Sequence, residues 1–594
     1  MQPTNTTNPE YYHKVVDCQY ACPAHTPVPE YIRLIAAGKY TEAYMINWES
    51  NVFPGVLGRT CDRPCEPACR RGRVEEEPVA ICRLKRVAAD FKDDISALLP
   101  DIPETKNGKK IALIGAGPAA LSVARDLAPL GYELHIYDNQ HKGGGMMRSQ
   151  IPSFRLPASV LDQEVNYILN MGVVTTFNTY ITSLKEILNK DYDAVFVGTG
   201  APRGKDLSLP GREEGKDNIH IGIEWLASVA FEHTHKIGKR VIVLGGGNTA
   251  MDCCRTSRRL GGEDVKVIVR SPFAEMKASP WEKEDAQHED IPIIDNHVPK
   301  SYAIENGKLC GMYFERVKAV YEDGKRKLVP TGEPDVFYPA DDVIIAIGQE
   351  NRFEWIERDL GIEFDKWEMP VINPITFAST RPNVFFGGDA ALGPKNVITA
   401  VAQGHQAAIS IDLFCQGQDI HQRPEPSIKL FSTKMGIHEW SYDSNVNTDI
   451  RYIVPQADKK ETLTDRMKEV ELGFDVKSAF QEAQRCLNCD VQTVFTEIKC
   501  IECDACMDIC PTSCITFTTN DDDEQALRMK LLVPAINQNQ ELLVSETLKT
   551  GKVMVKDEDL CLHCGLCAER CPTAAWDMKQ FLYNTAKAGH FCYA

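Results

Sequence analysis

Residues 110–127, KIALIGAGPAALSVARDL, hold the pattern that decides the fold of the centre of this chain. An apolar strand leads into Gly115-x-Gly117 and then directly into a helix. The first glycine permits a tight turn, and the second lets a pyrophosphate approach the backbone at the helix N-terminus, where free N–H groups favour anions. The next strand ends at Asp138, where a carboxylate can bind a ribose diol. This stretch predicts a dinucleotide site.

A second copy of the pattern lies at residues 239–255, KRVIVLGGGNTAMDCCR, with Gly245 and Gly247 in the turn. The strand after it ends in Arg270 and Ser271 instead of an acid. An acid there would bind the ribose of NAD, whereas an arginine accommodates a 2′-phosphate. We therefore predict NADP(H) at this site, with NAD(H) as the alternative. Short apolar strands alternate with helices up to about residue 420, which predicts parallel α/β domains.

Two cysteine runs near the C-terminus, residues 500–511 and 561–572, both read C-x2-C-x2-C-x3-C-P. This spacing places three thiolates on one iron–sulfur cluster and sends the fourth to another, so each run completes the other's cluster. Zinc and disulfides are the alternatives, but zinc sites use two separate C-x2-C pairs. The predicted ligand sets are Cys500, Cys503, Cys506 and Cys571 for one cluster, and Cys510, Cys561, Cys564 and Cys567 for the other.

Composition narrows the class of protein. The chain has 594 residues, a net charge of −18 and 22 cysteines. The negative charge argues against nucleic acid and anionic membranes as partners. No apolar run approaches the roughly 20 residues that cross a bilayer. The N-terminus carries no recognisable leader, so we expect a cytoplasmic protein whose cysteines serve metal or redox chemistry.

Residues 342–349 (DVIIAIGQ) and 384–389 (VFFGGD) resemble two fingerprints of two-dinucleotide-fold flavoproteins. Residues 143–157 (GGGMMRSQIPSFRLP), together with GGGNTAMD, resemble the glutamate synthase small-subunit family. The resemblance covers the middle of the chain. It implies FAD at the first glycine turn and a nicotinamide dinucleotide at the second, with the second domain inserted into the first. The segment 394–404 resembles the helix whose N-terminus faces the flavin.

The glycine motifs and the resemblance together imply two sets of binding residues, and no catalytic residue beyond the cofactors. For FAD they are Gly115, Gly117, Pro118, Ala119, Asp138, Gly145, Arg155, Val173, Gly200, Gly388, Asp389 and Val397. For NADP they are Gly245, Gly247, Asn248, Thr249, Arg270, Ser271 and Gly348.

The N-terminal cysteines also match this family, whose helical N-terminal domain carries two [4Fe-4S] clusters. The family's RCLxC element, however, stands here at 485–489, beyond the α/β region, so we expect the chain to return to the N-terminal domain. The resemblance implies one cluster on Cys22, Cys61, Cys65 and Cys69, and another on Cys18, Cys486 and Cys489. Lys85 lies where the family can have a ligand, but an ammonium group cannot bind iron. We therefore predict Cys82 as the fourth ligand of the second cluster; the alternative is a buried cysteine and a different cap.

The predicted architecture is multidomain. It comprises a helical iron–sulfur domain at 1–107, an FAD domain at 108–212 and 345–420, an NAD(P)H domain at 213–344, a connector at 421–493 and an α+β ferredoxin-like domain at 494–594 with two [4Fe-4S] clusters.

The predicted function is an FAD-dependent NAD(P)H:ferredoxin or acceptor oxidoreductase with four [4Fe-4S] clusters. Its expected partners are ferredoxin or the catalytic redox subunits of a larger complex, such as a 2-oxoacid:ferredoxin oxidoreductase. A glutamate synthase small subunit is the main alternative, and a non-catalytic electron-transfer scaffold is another. Dithiol chemistry at the adjacent Cys253 and Cys254 is a further alternative, but adjacent helix cysteines do not easily reach disulfide geometry.

Overall fold

The computed structural model describes residues 1–75, 77–322, 325–432, 449–535 and 537–589. The chain divides into two compact units. Unit 1 comprises residues 1–98, 422–454 and 473–594, and unit 2 comprises 99–421 and 455–472. The sequence predicted separate N-terminal and ferredoxin-like domains joined by a connector. Both cysteine-rich ends belong to unit 1, and residues 421–493, predicted as the connector, are divided between the two units.

The N-terminal part of unit 1 is helical. Its helices are α1 (Pro9–Lys14), α2 (Asp17–Tyr20), α3 (Val28–Ala36), α4 (Tyr40–Asn51), α5 (Pro54–Thr60), α6 (Arg71–Glu75) and α7 (Ile81–Phe91), followed by a 3-10 turn at Ser96–Leu98. Helix α3 buries Val28, Tyr31, Ile32 and Ile35, which recur at helical spacing. Helix α5 packs closely on α7, because a Cβ at Gly58 would lie 2.6 Å from the Arg86 Cα.

Unit 2 contains sixteen of the strands described. They are β1 (Lys110–Ile114), β2 (Glu133–Tyr137), β3 (Val174–Thr176), β4 (Ala194–Val197), β5 (Arg203–Gly204), β6 (Ile219–Ile221), β7 (Arg240–Leu244), β8 (Asp264–Ile268), β9 (Ile293–Ile294), β10 (His297–Glu305), β11 (Lys308–Glu322), β12 (Lys325–Pro330), β13 (Val336–Pro339), β14 (Asp342–Ile345), β15 (Gln349–Glu350) and β16 (Val384–Phe386).

Two parallel sheets organise these strands. The first has the order β16-β4-β1-β2-β3, and the second has the order β6-β14-β7-β8-β9. The second sheet is built entirely from chain between β4 and β16 of the first. Strands β10 to β13 form an antiparallel sheet, and β5 pairs with β15. Each glycine turn therefore follows a central strand, β1 or β7, at its carboxyl end, where α/β sheets bind ligands.

The helices of unit 2 surround these sheets. They are α8 (Pro118–Leu127), α9 (Met146–Ser149), α10 (Ala158–Leu169), α11 (Leu184–Leu188), α12 (Gly222–Ala230), α13 (Asn248–Arg259), α14 (Pro280–His288), α15 (Asp389–Leu392), α16 (Val397–Cys415) and α17 (Lys459–Thr464), with 3-10 turns at Ala128–Leu130, Lys216–Asn218 and Phe273–Glu275. Helix α16 crosses α8 at very short range, since a Cβ at Gly404 would lie 2.5 Å from the Ala119 carbonyl oxygen.

The C-terminal part of unit 1 contains two antiparallel sheets, β17-β22-β18 and β19-β21-β20. The strands are β17 (Ser427–Ser432), β18 (Val491–Phe495), β19 (Ile515–Thr518), β20 (Leu542–Val544), β21 (Val553–Asp557) and β22 (Trp576–Asn584). The helices are α18 (Val476–Ala483), α19 (Ala505–Ile509), α20 (Glu524–Arg528) and α21 (Leu566–Arg570), with a 3-10 turn at Glu497–Lys499.

Direct contacts within unit 1 explain why its two ends form one body. The Arg33 guanidinium donates to both carboxylate oxygens of Asp490, at 2.6 and 2.5 Å. The Thr4 amide donates to the Val544 carbonyl at 2.9 Å, and the Tyr11 hydroxyl donates to the buried Glu558 carboxylate. A charge-assisted fork and backbone pairing of this kind position two segments precisely.

Among the described helices, none has the length and apolar character that a membrane span requires.

Candidate functional site

The first predicted C-terminal set comes together in the structure. Cys500, Cys503, Cys506 and Cys571 line one cavity, and the aromatic residues Phe495, Phe517 and Trp576 are among its other lining residues. The loop that carries these cysteines turns sharply at Asp504, which has a φ of 58° and caps the N-terminus of α19. The Glu502 amide donates to the Cys500 sulfur at 3.4 Å, as expected for a thiolate ligand that needs stabilising donors. We call these four residues the Cys500 group.

The second predicted set, the Cys561 group, consists of Cys510, Cys561, Cys564 and Cys567. Burial and the neighbouring Cys561 and Cys510 thiols raise the pKa of Cys564. One more thiol lies here: Cys514, whose sulfur is 3.4 Å from the Cys510 sulfur. A hydrogen bond from this thiol lowers the pKa of Cys510 to about 5 and that of Cys561 to about 6. Cys514 lies four residues beyond Cys510, at the place that Ala575 has relative to Cys571, and was not among the predicted site residues.

The N-terminal cysteines form different groups from those predicted. Cys18, Cys486 and Cys489 share a cavity with Cys69, and not with Cys82. The Arg71 guanidinium, two residues after Cys69, donates to the Arg485 carbonyl at 3.2 Å, so α6 and the returning segment are held together. Cys486 and Cys489 therefore lie at a cavity of the N-terminal region, and Cys69 is the fourth thiol that lines it. We call this the Cys18 group.

Cys82 belongs instead with Cys61, Cys65 and Cys22. Hydrogen bonds from the Cys61 and Cys65 thiols hold the pKa of Cys82 well below its usual value. Cys82 lies in the first turn of α7, and Cys61 caps the C-terminus of α5, so the close packing of these helices brings their thiols together. We call this set the Cys22 group. The partition that the resemblance implied placed Cys69 with Cys22 and Cys82 with Cys18, whereas helix packing in the structure places Cys69 with Cys18 and Cys82 with Cys61 and Cys65.

Lys85 gives the Cys22 group a buried positive charge that the sequence analysis missed. Burial alone would lower its pKa, but the thiols of Cys82, Cys61 and Cys22 raise it overall. Its side chain lies one helical turn after Cys82 and is 3% exposed. A fixed ammonium beside four thiolates would stabilise an anionic cluster, although the ammonium itself does not ligate the metal.

A buried polar junction links the Cys18 and Cys561 groups. Arg70 follows Cys69, and its guanidinium donates to the carbonyls of Cys561 at 2.6 Å and Glu558 at 2.5 Å. The same guanidinium donates to Asp17 at 2.6 Å. His563 is fully buried here, and neither ring nitrogen has a hydrogen-bond partner among the described residues. A buried imidazole without a hydrogen-bond partner is costly, but beside a cluster it can donate a hydrogen bond to a sulfur. These residues therefore fit an iron–sulfur cluster at the Cys561 group.

The first glycine turn, in unit 2, has the geometry of a pyrophosphate site. Gly115 has a φ of 102°, and a Cβ there would lie 2.5 Å from the Gly198 carbonyl oxygen, so only glycine fits. Gly117 caps α8, whose first turn contains Pro118 and Ala119. The Asp138 carboxylate accepts a 2.6 Å hydrogen bond from the Ala116 amide and remains at the edge of the turn.

The other predicted FAD residues lie on loops and helix ends around the first sheet. Gly388 has a φ of 63° and caps α15, which begins with Asp389. Burial raises the pKa of Asp389 to about 6. A Cβ at Gly145 would lie 2.8 Å from the Gly117 Cα, so that loop folds against the first turn. Residues at the remaining positions precede β3, follow β4 and begin α16: Val173, Gly200 and Val397.

Arg155 has a different role from the predicted one. Its guanidinium donates to Asp252 at 2.6 Å and also to Glu282, both buried carboxylates of unit 2. The nearby Arg255 and Arg259 pair with Glu289, which extends the ion-pair network. Arg155 therefore ties its loop to α13 and α14 through two buried carboxylates.

The second glycine turn is open in front of its helix. Gly245 has a φ of 140°, and a Cβ there would lie 2.1 Å from the Ala346 carbonyl oxygen. A Cβ at Gly247, by contrast, would meet nothing within 4 Å. Free space above the N-terminus of α13 fits a bound pyrophosphate. The Asn248 carboxamide accepts a 2.8 Å hydrogen bond from the Ser279 amide, which fixes the first turn of the helix beside Thr249.

The residues predicted to read the ribose follow β8. Arg270 is exposed, and Ser271 is half-buried beside it. No ion pair joins Arg270 to another residue in the described part of the chain. Gly348, with a φ of 130°, lies near β14 and accepts a hydrogen bond from the Lys205 amide. An exposed guanidinium at this strand end fits a 2′-phosphate.

The adjacent cysteines of α13 are packing residues. Cys253 and Cys254 are fully buried, and both thiols lie against backbone carbonyls, those of Gly222 and Met251. Burial raises the pKa of both thiols, which disfavours the reactive thiolate. Neither forms a disulfide.

Two nucleotide-binding α/β sheets in one chain with cysteine groups of iron–sulfur spacing define a flavin- and nicotinamide-dependent iron–sulfur oxidoreductase. Residues 109–404 match the family of pyridine nucleotide-disulphide oxidoreductases. Residues 12–96 match dihydropyrimidine dehydrogenase domain II, a 4Fe-4S cluster domain, and residues 499–575 match the 4Fe-4S dicluster domain.

Three relatives make the assignment more specific. The beta subunit of an NADP(+)-dependent formate dehydrogenase from Moorella thermoacetica is 36% identical, over 80% of this chain and 70% of the relative. The beta subunit of an NADPH-Fe(3+) oxidoreductase from Geobacter sulfurreducens is 32% identical, over 82% and 77%. The small chain of the NADPH glutamate synthase from Escherichia coli is 32% identical, over 66% and 87%.

The chain belongs to the glutamate synthase small-subunit-like family of FAD- and NADPH-dependent iron–sulfur oxidoreductases. The predicted resemblance and the predicted cofactor types, FAD, NADP(H) and [4Fe-4S] clusters, are thereby confirmed.

Proposed function

We propose that this chain is the nicotinamide-handling subunit of a larger redox complex. It passes electrons between NADP(H) and ferredoxin or a partner redox enzyme through FAD and [4Fe-4S] clusters. The observation that carries the proposal is that sixteen cysteines fall into four separate groups of four, all within unit 1, as a chain of one-electron carriers requires. We propose that each group holds one [4Fe-4S] cluster.

The roles of the nucleotide-binding residues follow from their positions. FAD, when bound, accepts two electrons together and releases them singly, which is the conversion that such a protein needs. The α8 N-terminus and Gly117 would hold the FAD pyrophosphate, while Asp138 would hold a ribose. The α13 N-terminus and Arg270 would hold NADP. The chain contributes placement and electrostatics, and no side chain is assigned an acid–base step.

We propose domain limits in the same terms. Residues 108–212 and 345–420 would form the FAD domain, and 213–344 the NADP domain inserted in it; the second parallel sheet, built from 219–345, supports this division. The Cys18 and Cys22 groups would belong to the N-terminal helical region, and the other two to residues 494–594. A cytoplasmic location is part of the proposal.

The catalytic partner is proposed by class. The Moorella relative is named as a subunit of a formate dehydrogenase and the Geobacter relative as a subunit of an Fe(3+) oxidoreductase. A formate dehydrogenase catalytic subunit and a 2-oxoacid:ferredoxin oxidoreductase are both suitable, because each exchanges single electrons with iron–sulfur proteins. The second candidate function is a glutamate synthase small subunit, which the similarity over 87% of the Escherichia coli small chain favours.

The test is oxygen-free purification from the native host, followed by metal and flavin analysis and identification of copurifying subunits. About 16 Fe and one FAD per chain are expected for four four-iron clusters and one flavin. About eight Fe would contradict the N-terminal sites. A copurifying glutaminase–synthase polypeptide would favour the second candidate.

A point variant separates the nucleotide sites. Gly247→Val places a side chain into the open space before α13 without an internal clash. We expect it to retain FAD and iron but to lose reduction of the flavin by NADPH, while dithionite still reduces the clusters. Reduction by NADPH at the wild-type rate would contradict the assignment of this turn to the nicotinamide dinucleotide.

A further inference from the structure

The loop of the Cys500 group forms an exposed surface in unit 1. Of the cysteines that the structure describes, Cys503 alone is exposed. Three isoleucines accompany it: Ile498 is 85% exposed, Ile501 56% and Ile509 37%. We call the surface of residues 497–509 the Cys503 face. Large apolar side chains gathered beside a ligand thiolate mark a contact surface more than chance exposure does.

The second cysteine run shows what happens to the equivalent loop when it is covered. There Cys561 and His563 are buried, and Leu562 and Cys564 are half-buried. The cover is the N-terminal helical segment: Arg70 donates to the Cys561 carbonyl, and Arg73 pairs with Asp559 at 2.9 Å. The loop of the second cysteine run is thus covered by the N-terminal helical segment through Arg70 and Arg73. The equivalent loop of the Cys500 group is open.

The open loop carries an acidic rim. Four acids, Glu497, Glu502, Asp504 and Asp508, lie among the isoleucines in the sequence of this segment, and Lys499 is its one opposing charge. None of these five forms an ion pair within the described residues, and Asp504 and Asp508 are exposed. Glu497 and Glu502 are half-buried, and the Glu502 carboxylate accepts a hydrogen bond from the Thr550 amide at 3.1 Å, so Asp504 and Asp508 supply the exposed acidic charge. Exposed isoleucines with exposed acids beside them in the chain are complementary to a protein with an apolar patch inside a ring of lysines and arginines.

We propose that the Cys503 face is the docking surface for a one-electron redox protein whose own contact surface is apolar at its centre and basic at its rim. The inference rests on the proposed function and adds the exit point and the charge of the partner. In the direction tested below, NADPH is oxidised to NADP⁺ with release of a proton and two electrons. Each of two partner molecules gains one electron at this face.

A basic c-type cytochrome is the probe, and ferricyanide is the comparison acceptor, because a small anion does not need a docking surface. Ile498→Gln/Ile501→Gln removes the apolar centre, and Asp508→Lys reverses one rim charge. Matched controls on unit 1 are Ile453→Gln, at a residue 90% exposed, and Glu42→Lys, at an exposed carboxylate.

We expect Asp508→Lys to lower the second-order rate of cytochrome reduction about fivefold or more at low salt and to weaken its salt dependence, since steering of this kind contributes 10- to 1,000-fold. The double isoleucine variant is expected to lower the rate at all salt concentrations. Both controls keep the wild-type rate, and all variants keep the NADPH–ferricyanide rate and iron content.

Three results overturn the inference: an inactive wild type towards the cytochrome, equal rates in face and control variants, or a wild-type dimer that Ile498→Gln/Ile501→Gln converts to a monomer. The last would make the face an interface between two copies of this chain. Loss of NADPH–ferricyanide activity in the wild type would refute the proposed function itself, so the two failures are distinguishable.

Discussion

Arg270 provides the sharpest test of the second nucleotide site. Arg270 is exposed and lies just after β8, which is the next strand in the chain after the second glycine turn. Its guanidinium forms no ion pair with any of the described residues. Arg270→Ala removes the proposed contact with the 2′-phosphate without leaving a buried partner unpaired. We therefore expect discrimination between nucleotides to change while folding does not.

The expected loss in kcat/KM for NADPH follows from the exposure of the Arg270 side chain. A hydrogen bond to a charged group contributes about 1.5–3 kcal/mol, and water and salt around an exposed guanidinium place this contact at the lower end. A loss of about 1.5 kcal/mol corresponds to roughly a tenfold lower kcat/KM for NADPH. NADH has no 2′-phosphate, so its kcat/KM is expected to stay unchanged.

The assay is steady-state reduction of ferricyanide with either nucleotide varied. Inhibition by 2′-AMP should weaken in Arg270→Ala, and inhibition by 5′-AMP should not. Arg316→Ala, which removes an exposed arginine of β11 paired with Glu333, serves as the matched control. Equal losses with NADPH and NADH, or unchanged NADPH kinetics, would refute the reasoning.

Three further expectations concern the cysteines. Cys82→Ser should abolish the same EPR signal as Cys22→Ser, whereas Cys69→Ser should abolish the one lost in Cys486→Ser; pairing of Cys69 with Cys22 would contradict the observed groups. Cys514→Ala removes a thiol donor from the Cys510 sulfur and should make the potential of that cluster more negative in a redox titration, with no iron lost; an unchanged potential would count against the hydrogen bond. Cys253→Ser/Cys254→Ser should keep full electron transfer from NADPH to ferricyanide, since both thiols are buried against carbonyls; a large rate loss at normal flavin content would reopen a dithiol role.

The features that could be predicted from the sequence are motifs whose residues lie close together in the chain. Gly115 and Gly245 are identified by a turn that spans a few residues, and the structure shows that a side chain at either position would collide with a carbonyl oxygen one strand away. The eight C-terminal cysteines were likewise recognised from their spacing, whereas the N-terminal ones were recognised from the family resemblance.

What the sequence did not predict depends on packing between distant segments. Arg155 looks like a loop residue in sequence, but its partners Asp252 and Glu282 lie 97 and 127 positions away. Cys69 and Cys82 exchanged places for the same reason: the distance of each to Cys486 is set by the packing of α5, α6 and α7, which no local pattern encodes.

Unit 1 is built from three separate segments of the chain, and its cysteine groups combine residues from more than one of them. The Cys18 group takes two thiols from the N-terminal helices and two from residues 486 and 489, so it is complete only after the α/β region has been made. The chain then continues directly into the Cys500 run, and Arg70 connects the residue after Cys69 to the Cys561 carbonyl. Arg70, Arg71 and residues 485–490 therefore contribute both to the N-terminal site and to its contacts with the C-terminal part of unit 1. Within unit 1, Arg70 thus connects the Cys18 group to the Cys561 group, whereas the Cys500 group includes the exposed Cys503.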